Sequence, residues 1–106
     1  MIIVTTDDIP GKKIKRVLGL VRGNTIRARH FGKDLSAAFK NLVGGEIHGY
    51  TKMMAEAREQ AMDRIVEDAN TLGANAIVGL RFATTSTMQS AAEFLVYGTA
   101  VIVEEA

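Results

Sequence analysis

The densest run of chemically able side chains lies between residues 44 and 58, where Gly45, Glu46, His48, Tyr50 and Arg58 fall close together. Tyr50 offers an aromatic surface and a hydroxyl, and Arg58 a permanent charge on a planar donor fork. A long helix is expected to open at about residue 50. The start of a helix presents unpaired N–H groups and the positive end of its dipole, a combination that favours an anion. Gly45, Glu46, Tyr50 and Arg58 are therefore the candidate binding set for a small anionic ligand. Tyr50 and Arg58 stand a little over two helical turns apart, roughly on one side. A structural role competes with this reading: Glu46 would cap the helix, and Tyr50 and Arg58 would bond a neighbouring subunit.

Metal chemistry has fewer supports. The chain has no cysteine, so thiolate sites, thiol nucleophiles and disulfides are excluded. His30 and His48 are the candidate metal ligands, with Glu46 as a hard partner and Met53, Met54 and Met88 as soft ones. Glu46 and His48 are too close for the helical spacing of a zinc protease, and no His-Glu-x-x-His run occurs. A complete site would need residues from two subunits. No cofactor is expected, a metal ion being the one candidate. Ser36, Ser86 and Ser90 lack a nucleophile elbow, and residues 19–24 lack the Gly-Lys-Ser/Thr ending of a phosphate loop. A non-enzymatic protein is expected. The enzyme alternative rests on Glu46 paired with His48 or with a neighbour's arginine.

What must position these residues is one small domain of 106 residues. A chain this short buries only about 60–70 % of the surface it exposes when unfolded, so subunit association is a natural supplement. The net charge of +1 hides an asymmetry. Residues 9–33 carry Lys12, Lys13, Lys15, Arg16, Arg22, Arg27, Arg29 and Lys33 without an acid, and acids dominate from Glu46 onward. Such a division suits one half of a subunit facing the other half of its neighbour, or an anionic partner. No aromatic residue interrupts the bases before Phe31, so a nucleic-acid stacking platform is not expected there. The N-terminal residues lack a basic leader and a long apolar run, and no stretch approaches the ~20 apolar residues of a membrane span. A cytoplasmic protein is expected, consistent with the lack of cysteine.

The pattern predicts a strand over 2–6, a turn at Pro10-Gly11, and one long strand over about 14–29 bulged at Gly23, with a hairpin at Gly23-Asn24 as the alternative. A short helix is expected to carry Leu35, Ala38, Phe39 and Leu42, ended by Gly44-Gly45. The major helix should run from about 50 to 72, with Met54, Ala57, Ala61, Ile65, Ala69 and Leu72 on one face and Gly73 as its stop. Strands follow over 76–82 and 94–103, pairing antiparallel across a polar connection at 84–90. The expected class is α+β: an antiparallel sheet against one long helix plus a short one.

The stretch Val43-Gly44-Gly45-Glu46, then Tyr50, Ala57-Arg58, Ala61, and the run from Ala69 to Leu80 resembles the YbjQ-like family, which carries a heavy-metal-binding label. Thr5-Thr6, residues 18–23 and Gly98-Thr99-Ala100-Val101 extend the resemblance over almost the whole chain. It implies a dodecin-like subunit assembled into a ring, with a homopentamer expected. His30 and His48 fall outside the pattern that carries the resemblance.

Overall fold

A computed structural model describes the backbone over residues 1–27, 47–88 and 91–106 and the side chains over 1–26, 52–85 and 93–106. In chain order come β1 (Ile2–Ile3), β2 (Lys12–Arg27), α1 (Ile47–Thr71), β3 (Ala76–Met88) and β4 (Ala91–Glu105). They form an α+β unit whose four strands lie in the order β1-β3-β4-β2. The expected short helix, with Gly44-Gly45, lies outside the described residues.

Four expectations need correction. The sheet is mixed rather than antiparallel, because β1 runs parallel to β3 while β3 and β2 each run antiparallel to β4. The supposed polar connection is largely strand: β3 continues through Thr84 and Thr85 to Met88. Threonine is β-branched and suits a pleated surface with one wet side.

β2 is one strand rather than a hairpin, but Gly23 is not its bulge. The register slips between Ile14 and Arg16 and again between Val17 and Gly19, where φ at Gly19 is 129°. Gly23 stays in register opposite Val96. Its lack of a side chain serves close packing instead: a Cβ there would sit 2.6 Å from the Ile65 backbone nitrogen. α1 comes this near because Ala57, Ala61, Ile65 and Ala69, spaced four apart, are completely buried. Glu56, Glu59, Asp63, Glu67 and Asn70 are exposed on its other side. Leu72, expected on the buried face, is 44 % exposed. It has already left the helix, whose end is closed by Gly73 (φ 81°). The Gly73 and Ala74 amides donate to the Asn70 and Ala69 carbonyls at 3.0 and 3.1 Å, a Schellman closure.

Two apolar layers result. Between α1 and the sheet, Val21, Ile77, Leu80, Phe94, Val96 and Ala100 pack with the alanine stripe and Ile65. Burying each of the larger ones contributes about 1.5–3 kcal/mol. On the opposite face, Ala76, Val78, Val101 and Val103 are covered by Ile2, Val4 and Ile9. The N-terminal segment is tied to β3 at a further bulge, where Gly79 (φ 65°) and Leu80 donate to the Thr6 and Val4 carbonyls at 2.8 and 3.1 Å. The radius of gyration is 17.3 Å, against about 13 Å for a compact domain of roughly 100 residues. Among the described residues, no helix is long and apolar enough to cross a membrane.

Candidate functional site

α1 is described from Ile47, so His48, Tyr50 and Arg58 all lie on it. At about 100° per residue, positions 50 and 58 stand roughly 80° apart around the axis. They occupy adjoining faces rather than one line. Arg58 is exposed and follows the buried Ala57. The side chains of His48 and Tyr50, and the whole of His30, Gly45 and Glu46, lie outside the described residues. Of the residues proposed from sequence, the structure places the side chains of Arg58, exposed on α1, and of Met53 and Met54, both half-buried, with Met54 packed against the core.

Elsewhere on the solvent side of α1 is an open depression of about 400 Å³ bordered by Lys52, Glu56, Glu59 and Asp63. Its carboxylates follow the turn of the helix as a solvated ridge. Among the described residues no three of His, Asp and Glu converge as a metal ion would require. A second hollow, about 450 Å³, opens where α1 ends, between Lys12, Asn70 and Asn75. Its polar groups are already engaged. The Asn75 amide group donates to the Val103 carbonyl at 2.9 Å and accepts from the Val103 amide at 2.8 Å. Lys12 pairs with Glu105.

A third grouping was hidden in the linear sequence. Arg22 on β2 and Arg81 on β3 both lie opposite Tyr97 on β4, so the three side chains form one row across three strands. Val21 and Val96 are buried against α1, so alternation puts Arg22 and Tyr97 on the opposite, open face. Tyr97 is 38 % exposed, and both arginines are exposed. The Arg22 amide donates to an Asp68 carboxylate oxygen at 3.1 Å. That amide therefore faces away from β4, which makes Arg22 and Tyr97 a non-hydrogen-bonded pair with closely spaced side chains. Arg81 is held from the other side: its Nη1 donates to the Thr5 and Leu80 carbonyls, each at 2.8 Å. Residue alternation along 94–103 hints that Tyr97 faces outward, but only the strand pairing reveals its neighbours.

Comparison with other proteins places the chain. The YbjQ family model, described as "Putative heavy-metal-binding", matches residues 1–104. A UPF0145 protein of Clostridioides difficile is 60 % identical over 105 residues, covering 99 % of this chain and 94 % of its own. A UPF0145 protein of Clostridium perfringens is 54 % identical over the full length of both. One from Thermotoga maritima is 50 % identical over 99 % of each. Among solved structures, a protein of unknown function of the DUF74 family from Pediococcus pentosaceus has the same fold, with a TM-score of 0.60 over 98 % of both chains at 18 % identity. With its mixed four-stranded sheet, its single described helix and a family match from end to end, the chain belongs to the YbjQ family.

Proposed function

We propose that the chain is the subunit of a ring-forming homo-oligomer, five subunits being the expected closed form, that holds a small ligand or ion rather than catalysing a reaction. The observation that carries this reading is the unfinished edge of β3. That strand runs from Ala76 to Met88, whereas its outer neighbour β1 has only two residues. From Arg81 onward, no described strand pairs with the outer side of β3. Phe82 lies there 48 % exposed. A long edge with an exposed aromatic side chain is a template for another strand, and a second copy is the partner always at hand. Ile14, Val17 and Leu20 on β2 are exposed as well, at 38, 66 and 67 %. They supply apolar surface that closure of a ring would cover.

A dodecin-like arrangement fits one helix laid over one face of the sheet. The ligand is assigned to the N-terminal part of α1 at Tyr50, with Gly45 and Glu46 just before it in sequence and Arg58 about two turns farther along the helix. The family description adds a metal ion as a candidate, with His30 and His48 drawn together from two subunits. A cytoplasmic location fits a cysteine-free chain. Native mass spectrometry of gently purified protein reads subunit number and retained ligand together. Several subunits, five preferred, are expected. A folded monomer at micromolar concentration overturns the assembly.

A further inference from the structure

We infer that the open sheet face at Arg22, Tyr97 and Arg81 binds single-stranded nucleic acid, one base stacking on Tyr97 while flanking phosphates meet the two guanidinium groups. The inference stands on strand register and is independent of the ligand reading at the start of α1.

Tyr97 sits on the inner strand β4, between β3 and β2, and keeps more than a third of its surface in solvent. An exposed aromatic ring in mid-sheet is a stacking surface open to any base. Arg22 and Arg81 stand one strand away on either side, so the two backbones are separated by about 10 Å, twice the interstrand spacing. Among the described residues, no carboxylate pairs with either guanidinium group, whereas Lys12, Lys13 and Lys15 are all drawn to Glu104 or Glu105. The formal bases of β2 are therefore unequal: Lys12, Lys13 and Lys15 are answered within the chain, whereas Arg16 and Arg22 have no carboxylate partner among the described residues. Arg81 is pinned through Nη1 alone, so the rest of its five-donor fork remains for a phosphate.

The next rows add apolar surface. Ile26, four positions after Arg22, is 58 % exposed and lies on the same face by alternation. The described hollows lie elsewhere, at the end of the sheet and along α1. Sites for small molecules enclose most of the ligand, whereas this face is open. A free nucleotide would be gripped on one side only. A flexible polymer can lay several nucleotides along the face and gain from each. Arg22, one base of the acid-free run in the first third of the chain, acquires an aromatic neighbour through the fold.

Fluorescence anisotropy with a labelled 15-nucleotide single-stranded oligothymidine tests this on the assembled protein. Binding at low salt is expected, with log affinity falling against log salt at a slope of about −1.4 for two phosphate contacts at ~0.7 each on a single strand. Tyr97→Ala should weaken binding about five- to hundredfold, and Tyr97→Phe, which keeps the ring, should bind like wild type. Arg22→Gln should flatten the salt slope by about 0.7. Melting temperature and subunit mass of each variant, unchanged from wild type, separate recognition from folding. The inference is overturned if wild type fails to bind at low salt, or if Tyr97→Ala binds as well as wild type with its fold intact. It is also overturned if duplex of the same length, or a free nucleoside monophosphate, binds as tightly as the single strand.

Discussion

The two long edges of the sheet are finished by different means. On the β2 side, α1 closes the edge with side chains: Arg64 donates through Nη1 to the Asn24 carbonyl, and Asp68 accepts from the Arg22 amide. Gly23, between those two residues, gives α1 the room to lie that close. On the β3 side, the N-terminal segment does the work through backbone bonds at Gly79 and Leu80, and Arg81 clamps the Thr5 carbonyl. That cover ends at Arg81, although β3 continues to Met88. Where α1 answers the β2 edge, at Arg22 to Asn24, the backbone is met within the chain. An edge that the described residues cover for only part of its length is suited to meet a second subunit. The difference divides the residues into those that hold the protomer together and those available for assembly.

Gly23→Val attacks the closed edge most severely. Its Cβ would lie 2.6 Å from the Ile65 nitrogen and 3.0 Å from the Arg64 Cβ. The nearest obstacles are helix backbone and cannot swing aside, so α1 must lift from the sheet. A loss of more than about 3 kcal/mol is expected, at the high end for overpacking, read by urea denaturation. Gly19→Ala is the control. Nothing lies within 4 Å of that position, but φ is 129°, so only backbone strain of about 1–3 kcal/mol should appear. Equal, small losses in both would mean that α1 is not seated on Gly23.

Thr84→Pro probes the open edge. The Arg22 amide points away from β4, so Tyr97 turns its backbone toward β3 and Arg81 turns back toward β4. Phe82 and Thr84 then direct their backbone groups outward. Proline at Thr84 removes an outward N–H and obstructs a docking strand while sparing the ladder to β4. The protomer should remain helical by circular dichroism while the mass by light scattering falls to smaller species. Phe82→Glu should act in the same direction. Full-size assemblies in both variants would show that the contact lies elsewhere.

Asp68→Ala should have a gentler effect, because the contact is exposed: a loss of about 1 kcal/mol. The local reading is sharper than the global one. The Arg22 amide should exchange hydrogen faster, whereas the amide of Val96, fully buried beneath α1, should not until the whole domain opens. Unchanged exchange at Arg22 would mean that water serves this edge as well as Asp68 does.

The parts of the fold legible in the sequence were those with a local cause. The stripe Ala57, Ala61, Ile65 and Ala69 repeats with the helix, and Gly73 ends it where a left-handed residue is needed. Gly23 was misread because a glycine kept for close approach looks like one kept for a bulge. Its reason lies on α1, far along the chain. The direction of β1 was equally hidden, since its pairing with β3 joins segments separated by most of the sequence. The polar run at 84–88 read as a loop because composition does not tell a wet strand from a turn. At the start of α1 the sequence offered residue types without geometry, and of that ligand set the structure places only the side chain of Arg58. The row Arg22, Tyr97 and Arg81 was invisible for the opposite reason: its geometry is set entirely by register.

The closed edge has one flaw, and repairing it gives the smallest expected effect. Thr25 lies on β2 just past the stretch tied by Arg64 and Asp68, and is only 3 % exposed. It is buried in phase with Val21 and Gly23, which puts it on the face toward α1. Among the described residues its Oγ1 has no hydrogen-bond partner. A hydroxyl taken out of water without a partner costs about 1–3 kcal/mol. Valine has nearly the same shape and the same branching at Cβ, so it keeps the strand preference while removing the unmet polar atom. Thr25→Val should therefore stabilise the domain by up to about 1 kcal/mol, the gain held down by small changes in packing. That corresponds to a rise of several degrees in melting temperature for a domain of this size. The direction is the test: if Thr25→Val melts below wild type, the hydroxyl is satisfied in solution and the helix-covered edge is better made than its hydrogen bonds indicate.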